Sequence, residues 1–153
     1  MPTNTELYDQ DFYAWTQTTA DLIRAGKWSD LDREALPEEI ESLGKSDWRE
    51  LASRIAVLLR YLLKWRYQPE RRQRGRSWRS TIWEQRSRLR RLLRQSPSLV
   101  PLVPQTIQEE YAEARQRARE ETGLPLTAFP AAYPWTVEQV LDTDFWPEGE
   151  TTP

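Results

Sequence analysis

The most constraining feature of this sequence is a run of apolar residues at alternating steps of three and four between Pro37 and Pro69. This spacing places them along one seam of a long helix that packs against neighbours at about +20°. Pro37 is tolerated in the first turn, where its missing N–H leaves no helical bond unmade, and Pro69 predicts the end. The seam consists of Ile40, Leu43 or Gly44, Trp48, Leu51, Ile55, Leu58, Leu62 and Trp65.

Three further segments have helical spacing. Residues 8–25 predict a first helix that ends at Gly26, a residue suited to a left-handed cap. Residues 78–95 predict a third helix, and a fourth follows Pro104 and ends at Gly123. Ser96 is expected to act as an N-cap before the proline-interrupted turn between the third and fourth helices. The residues expected to face inward are Phe12, Trp15, Leu22 and Ile23 in the first helix, Trp78, Ile82, Leu89, Leu92 and Leu93 in the third, and Ile107, Tyr111, Ala114 and Ala118 in the fourth.

After Gly123 the sequence becomes rich in proline and aromatic residues up to Trp135, which predicts an irregular arm. Thr136 begins a T-V-E-Q capping box and a short helix. No segment alternates apolar and polar residues long enough to predict a strand. The expected fold is therefore all-α: an up-and-down bundle of about four main helices, with an irregular C-terminal arm. We expect one helical domain over residues 1–153, ordered over about residues 5–147, with frayed tails at 1–4 and 148–153.

Composition excludes several kinds of chemistry. The 153 residues contain no cysteine and no histidine, which excludes disulfides, thiolate or imidazole zinc sites, and Ser-His or Cys-His catalytic pairs. The five glycines are scattered singly, without a phosphate-binding loop, and we expect no cofactor. No apolar run approaches the roughly 20 residues of a membrane span, and the acidic N-terminus is unlike a signal peptide. We therefore expect a cytoplasmic protein without membrane contact.

A net charge of −2 conceals a strong segregation of charge. Residues 1–53 carry a net −7, residues 54–94 carry +12, and residues 95–153 carry −7. Nineteen of the 22 basic residues are arginines, which bind carboxylates and phosphates in a planar, two-pronged geometry and stack on aromatic rings. We expect the arginines of the central segment to be neutralised by the acidic ends, within one fold or across a dimer.

Several motifs occur in order along about 140 residues. They resemble the bacterial, largely cyanobacterial proteins grouped as domain-of-unknown-function family 29. The resemblance implies a small all-helical protein, often present in many paralogous copies, and implies no activity. The motifs are Tyr8-Asp9-x-Asp11-Phe12-Tyr13-Ala14-Trp15, residues 38–44 (EEIESLG), residues 62–65 (LLKW) with Gln68-Pro69, Ser77-Trp78-Arg79, Glu84-Gln85-Arg86, Pro97-Ser98-Leu99, residues 121–125 (ETGLP), Phe129-Pro130, and Asp144-Phe145-Trp146-Pro147.

Two positions depart from that family pattern. Relatives often have a histidine where this chain has Tyr61, and a cysteine where it has Tyr133. A metal or redox function that used those groups would be lost here. The resemblance therefore favours a role other than catalysis for this chain.

Glu38, Glu39 and Glu41 are the candidate metal ligands. Glu38 and Glu41 are three residues apart and share a helix face, and carboxylate oxygens suffice for Mg²⁺ or Ca²⁺. Acidic residues are also common in the first turn of a helix, where they interact favourably with its dipole. The second interpretation is the preferred one.

A nucleic-acid interface is the main alternative, ahead of a metal site. Clustered arginines can neutralise phosphates, and exposed aromatic rings can stack on bases. The sequence pI of about 5.4 is far below that of most dedicated nucleic-acid-binding domains. The candidate residues are Arg71, Arg72, Arg74, Arg76, Trp83, Arg86 and Arg90.

Lys64 and Arg79 complete a candidate charge network with Glu38 and Glu41. Lys64 lies beside the seam, where a lysine either extends its charge to solvent or is buried with a lowered pKa. Arg79 is a candidate salt-bridge partner of Glu38 or Glu41. The function predicted from these features is a non-catalytic protein-interaction or assembly module, binding another protein or a second copy of itself. The alternatives are a nucleic-acid-associated protein and a carboxylate-based divalent-metal enzyme.

Overall fold

The structure is a computed structural model that describes residues 1–72 and 76–148. Its regular structure within these residues is entirely helical, so the all-α prediction is confirmed. No described helix combines the length and apolarity required to cross a bilayer. The α-helices are α1 (Asn4–Gln10), α2 (Phe12–Arg24), α3 (Ala35–Tyr67), α4 (Arg76–Gln95), α5 (Val103–Thr122) and α6 (Val137–Leu141).

The chain divides into two compact units, Met1–Ser46 and Asp47–Pro153. The division falls inside α3, which contributes its first turns to one unit and the remainder to the other. The single domain over residues 1–153 stays a prediction, as does the fraying of residues 1–4. The predicted fraying of residues 149–153 lies outside the described residues.

The first unit begins with two helices where the sequence predicted one over residues 8–25. Thr3 and Glu6 form a capping box that starts α1. At Asp11 the backbone leaves the helical region, and the Asp11 carboxylate accepts the N–H of Ala14 to start α2. The prediction was wrong because it passed over Asp11 as an N-cap, a role that its short carboxylate side chain favours.

The inward face predicted for the first helix is also only partly correct. Trp15 is buried, whereas Phe12 and Ile23 are exposed. Phe12 stacks on Trp15 at a centroid distance of 5.6 Å, and Tyr8 meets the same indole edge-on at 4.9 Å. Gly26 has a φ of 70°, as predicted for a left-handed cap. The first unit therefore has a small aromatic cluster around a single buried tryptophan.

α3 covers the predicted second helix and starts two residues before Pro37. Asp32 stabilises this start, because its carboxylate accepts the N–H groups of Glu34 and Ala35. From Leu51 onward the predicted seam is buried. Its first part, Ile40 to Trp48, is exposed, which corrects the prediction for that part.

The second unit contains one large hydrophobic core. Buried side chains from α3, α4, α5, α6 and the irregular arm form a single cluster. Gly123 ends α5 with a φ of 75°, and Thr136 and Gln139 form the predicted capping box of α6. Ser96 occupies the predicted N-cap position before the 3-10 segment, but its hydroxyl makes no capping hydrogen bond and instead donates to an Asp47 carboxylate oxygen at 3.2 Å. The fully buried members include Leu51, Ile55, Leu58, Leu59, Leu62, Leu63, Ile82, Leu89, Ile107 and Phe129.

Candidate interaction surfaces

The glutamates at the start of α3 do not converge in the part of the chain that the structure describes, and metal binding by Glu38, Glu39 and Glu41 stays a prediction. Tyr8 donates its hydroxyl proton to Glu39, and this hydrogen bond, together with partial desolvation and nearby carboxylates, raises the pKa of Tyr8 to about 12. Glu38 and Glu41 are exposed. Among the residues that the structure describes, no three acidic side chains converge as a metal ion would require. The geometry assigns Glu39 to a contact between α1 and α3.

An exposed apolar surface lies on the same turns of α3. Leu36, Ile40 and Leu43 follow each other at steps of four and three, so they share one helix face. Leu36 is half-buried, whereas Ile40 is 60% exposed and Leu43 is 71% exposed. We call these three residues the apolar stripe. The sequence predicts Ile40 and Leu43 to lie in the core, but the structure leaves both in solvent.

Lys64 is buried and paired. Its Nζ donates to Glu121 Oε2 at 2.9 Å, and it lies 4.2 Å from the ring centroid of Tyr61 and 4.9 Å from that of Trp78. Arg60 reaches the other oxygen of the same carboxylate at 3.4 Å. The charge of Lys64 is therefore not extended to solvent, as one of the two alternatives has it, but is held in an ion pair with α5. Glu121 of the acidic C-terminal segment thus pairs with two central basic residues, and Glu50 of the acidic N-terminal segment pairs with a third, Arg54, at 2.8 Å.

Arg79 lies against aromatic rings. Its guanidinium carbon is 5.0 Å from the centroid of Trp146 and 5.7 Å from that of Trp65. These two indoles are themselves in contact at 4.7 Å. The cation–π geometry accounts for an arginine at this position within the second unit. Its pairing with Glu38 or Glu41 stays a prediction.

Arg86 is completely buried. It donates from Nε to the carbonyl of Val140 at 2.9 Å, from Nη2 to that of Gln139 at 3.1 Å, and from Nη1 to that of Phe145 at 2.7 Å. Two of these carbonyls belong to the last turn of α6, where helical partners are missing and a positive charge is favoured. Burial lowers the pKa of Arg86 to about 10, and the charge of nearby Asp142 acts in the opposite direction. Arg86 is therefore charged at neutral pH and holds the C-terminal arm.

Two other arginines also bind main-chain oxygens. Arg72 donates to the carbonyls of Trp65 and Pro147, and burial lowers its pKa. Arg115 of α5 donates to the carbonyls of Leu126 and Phe129. With Arg86, they attach the arm by guanidinium–carbonyl hydrogen bonds, which use the several donors that distinguish arginine from lysine.

The remaining nucleic-acid candidates differ in their surroundings. Arg71 is exposed, and Arg90 is exposed with one long contact, 3.5 Å, to the hydroxyl of Thr143. Trp83 is 61% exposed. Arg74 and the side chain of Arg76 lie outside the described residues. The structure thus brings Trp83 and Arg90 to one helix and places Arg72 and Arg86 in internal contacts.

The outer face of α4 combines an exposed indole with positive charge. We define the α4 arginine face as Trp83, Ser87, Arg90, Arg91 and Arg94. Ser87 lies four residues after Trp83, the adjacent Arg90 and Arg91 lie three and four residues after Ser87, and Arg94 lies one turn beyond them, so all five share one side of the helix. A groove of about 470 Å³ runs beside it, lined in part by Trp83, Ser87 and Arg91. Arg91 and Arg94 have no hydrogen-bond or ion-pair partner among residues 1–72 and 76–148. This face was missed as a unit by sequence reasoning, although its spacing is visible in the sequence.

Comparison with known proteins identifies the family. A family model described as "Domain of unknown function DUF29" matches residues 7–146. The chain belongs to this family. The resemblance inferred from the sequence motifs is confirmed, and the family description assigns no function. No curated protein and no solved structure matches the chain.

Proposed function

We propose that this DUF29 protein is a non-catalytic protein-interaction module whose contact surface is the apolar stripe. The observation that carries the proposal is the exposure of Ile40 (60%) and Leu43 (71%) at consecutive positions of a seam that is fully buried from Leu51 onward. Apolar area removed from water stabilises association by about 25 cal/mol per Å². A partner that covers the stripe would supply the burial that the same pattern obtains further along α3.

The composition of the first unit supports this proposal. Its buried hydrophobic residues are few, Trp15 and Ala35 among those described, whereas several large apolar side chains are exposed. An exposed apolar surface with a polar rim is typical of protein-binding sites. Glu38 and Glu41, both exposed, supply such a rim. The exposed apolar side chains are Met1, Phe12, Tyr13, Ile23, Trp28, Ile40 and Leu43.

Nucleic-acid association is the second candidate, and the exposed Trp83 beside Arg90 and Arg91 favours it. The internal contacts of Arg72, Arg79 and Arg86 count against it, because those groups are committed to carbonyls and indoles. A gel shift with random RNA and DNA at about 50 mM and about 200 mM salt tests it, since phosphate binding falls steeply between the two. Binding that is insensitive to salt would contradict phosphate recognition.

The proposal is tested by affinity capture from the native host after nuclease treatment. The baits are the wild type, an Ile40→Ser/Leu43→Ser variant and a Val100→Ser control, which removes an apolar side chain that is 50% exposed in the second unit. We expect the wild type and the control to retain the same partner and the double variant to lose it. Equal capture by all three baits would overturn the apolar stripe as the contact surface.

A further inference from the structure

We infer that the partner of the apolar stripe is a second copy of this chain, which contributes its α4 arginine face. This inference rests on the proposed function and names the surface that covers the stripe. In the assembly, Ile40 and Leu43 of one copy pack on the indole of Trp83 of the other. Glutamates beside the stripe meet the arginines of α4.

Charge complementarity is the first argument. The first unit, residues 1–46, has 10 acidic and 4 basic side chains, a net charge of −6. α4 has seven arginines and one acid, Glu84, a net charge of +6. Glu84 is engaged by Arg88, so it does not neutralise Arg91 or Arg94. Opposite fields of this kind accelerate encounter and select the orientation in which the two surfaces meet.

The chemistry of the two surfaces is the second argument. Tryptophan and arginine are the residues most enriched among those that dominate binding energy at protein interfaces. Trp83 is 61% exposed and is followed on its face by the small Ser87, which leaves room beside the indole. Ile40 and Leu43 are one turn apart and both exposed, so the apolar ring of an indole can pack against both of them. Both surfaces therefore have an apolar centre, and the charged residues around the two centres are of opposite sign.

The first test measures the mass of the purified, nuclease-treated wild type by light scattering over a range of protein concentrations. A dimer or a larger concentration-dependent species supports the inference, and its dissociation constant should rise with salt as charge is screened. A monomer at every concentration overturns it. An association that disappears with nuclease treatment also overturns it, in favour of nucleic acid bound to α4.

Charge exchange identifies the surfaces. Glu38→Lys/Glu41→Lys and Arg90→Glu/Arg91→Glu should each weaken self-association by about tenfold or more, because each leaves like charges opposed. An equimolar mixture of the two variants should recover association, since every stripe then meets a face of opposite sign. Arg119→Glu, an exposed arginine on α5, is the matched control and should associate as the wild type does.

The outcomes separate the two proposals. If the wild type associates and neither double variant is weakened, the contact lies elsewhere and the inference is overturned. If the wild type is monomeric while the Ile40→Ser/Leu43→Ser bait still loses a host protein, the proposed function holds and the second copy is excluded as the partner. Circular dichroism of each variant verifies that its helices are intact.

Discussion

The apolar seam of α3 runs through both units of this protein, but its residues are mostly buried in one unit and exposed in the other. In the second unit Leu51, Ile55, Leu58 and Leu62 are completely buried, because α4, α5 and the arm surround them. In the first unit Ile40 and Leu43 follow the same spacing and remain in solvent. Spacing therefore determines which residues share a face, whereas burial depends on what is available to cover that face. This contrast is the reason why we propose a contact surface in the first unit.

The largest stability effect is expected at Arg86, in the well-covered unit. Arg86→Met leaves the carbonyls of Gln139, Val140 and Phe145 without their donors, and we expect a loss of about 3 to 5 kcal/mol. Arg90→Met, one turn further along α4 and exposed, should change stability by less than about 0.5 kcal/mol. Urea unfolding measures both. Similar losses of stability in the two variants would contradict the conclusion that Arg86 makes internal contacts and Arg90 does not.

The next effect compares leucines of one helix. Leu62→Ala should destabilise the second unit by about 2 to 5 kcal/mol, because it removes a fully buried side chain and leaves a cavity. Leu43→Ala should cost less than about 0.5 kcal/mol in the isolated chain, since Leu43 is 71% exposed. Urea unfolding measures the change in the free energy of unfolding for both variants. A large loss for Leu43→Ala would mean that its side chain is covered in solution.

A smaller effect is expected at the start of α3. Asp32→Ala should cost about 1 kcal/mol, the usual value of a lost N-cap, because the N–H groups of Glu34 and Ala35 lose their acceptor. Amide hydrogen exchange at these two residues should accelerate, while exchange at the centre of α3 stays slow. Asp21→Ala, which removes an exposed ion pair with Arg24, is the control. Unchanged exchange in Asp32→Ala would contradict its capping role.

The smallest effect is a difference in alkaline behaviour between the units. The pKa values of Tyr8 and Tyr111 are both raised from 10.0 to about 12, the first mainly by its hydrogen bond to Glu39 and the second mainly by burial. Because the unfolded state ionises first, the stability that each contributes is complete below pH 10 and is lost as the pH rises through about 12.

Glu39→Gln separates these causes. Removing the carboxylate charge should lower the pKa of Tyr8 toward its ordinary value and leave that of Tyr111 unchanged. Tyrosinate absorbance during an alkaline titration measures both, with Tyr8→Phe and Tyr111→Phe assigning the two transitions. An unchanged titration of Tyr8 in Glu39→Gln would contradict the hydrogen bond as its main cause.

Local signals in the sequence predicted much of the fold. Gly26, Gly123 and Thr136 mark helix ends because their backbone or side-chain chemistry acts within a few residues. Asp11 offered a signal of the same kind that was passed over. The exposure of Ile40 depends on whether segments distant in the sequence cover it, so a local sequence pattern cannot predict it.

The inward position of Arg86 can be predicted from its spacing, although its partners cannot. Ile82, Arg86, Leu89 and Leu93 follow at steps of four, three and four, which places the arginine on the apolar face of α4. Counted only as a positive charge, it was assigned to a nucleic-acid surface. Its partners are carbonyl oxygens, which every residue has, so the sequence carries no mark of the contact.

Glu121 is the only acid outside α3 and α4 that pairs with the central basic residues among those described.

The attachment of the C-terminal arm has a consequence for how this chain can vary. Arg72, Arg86 and Arg115 donate hydrogen bonds to main-chain carbonyl oxygens. These hydrogen bonds do not depend on the side chain of the residue that accepts them, so substitutions at exposed arm positions can leave them in place, whereas Phe129, Trp135 and Val140 are also held by their burial in the core. The three arginines themselves tolerate substitution less well, because a lysine has a single donor nitrogen where a guanidinium has three.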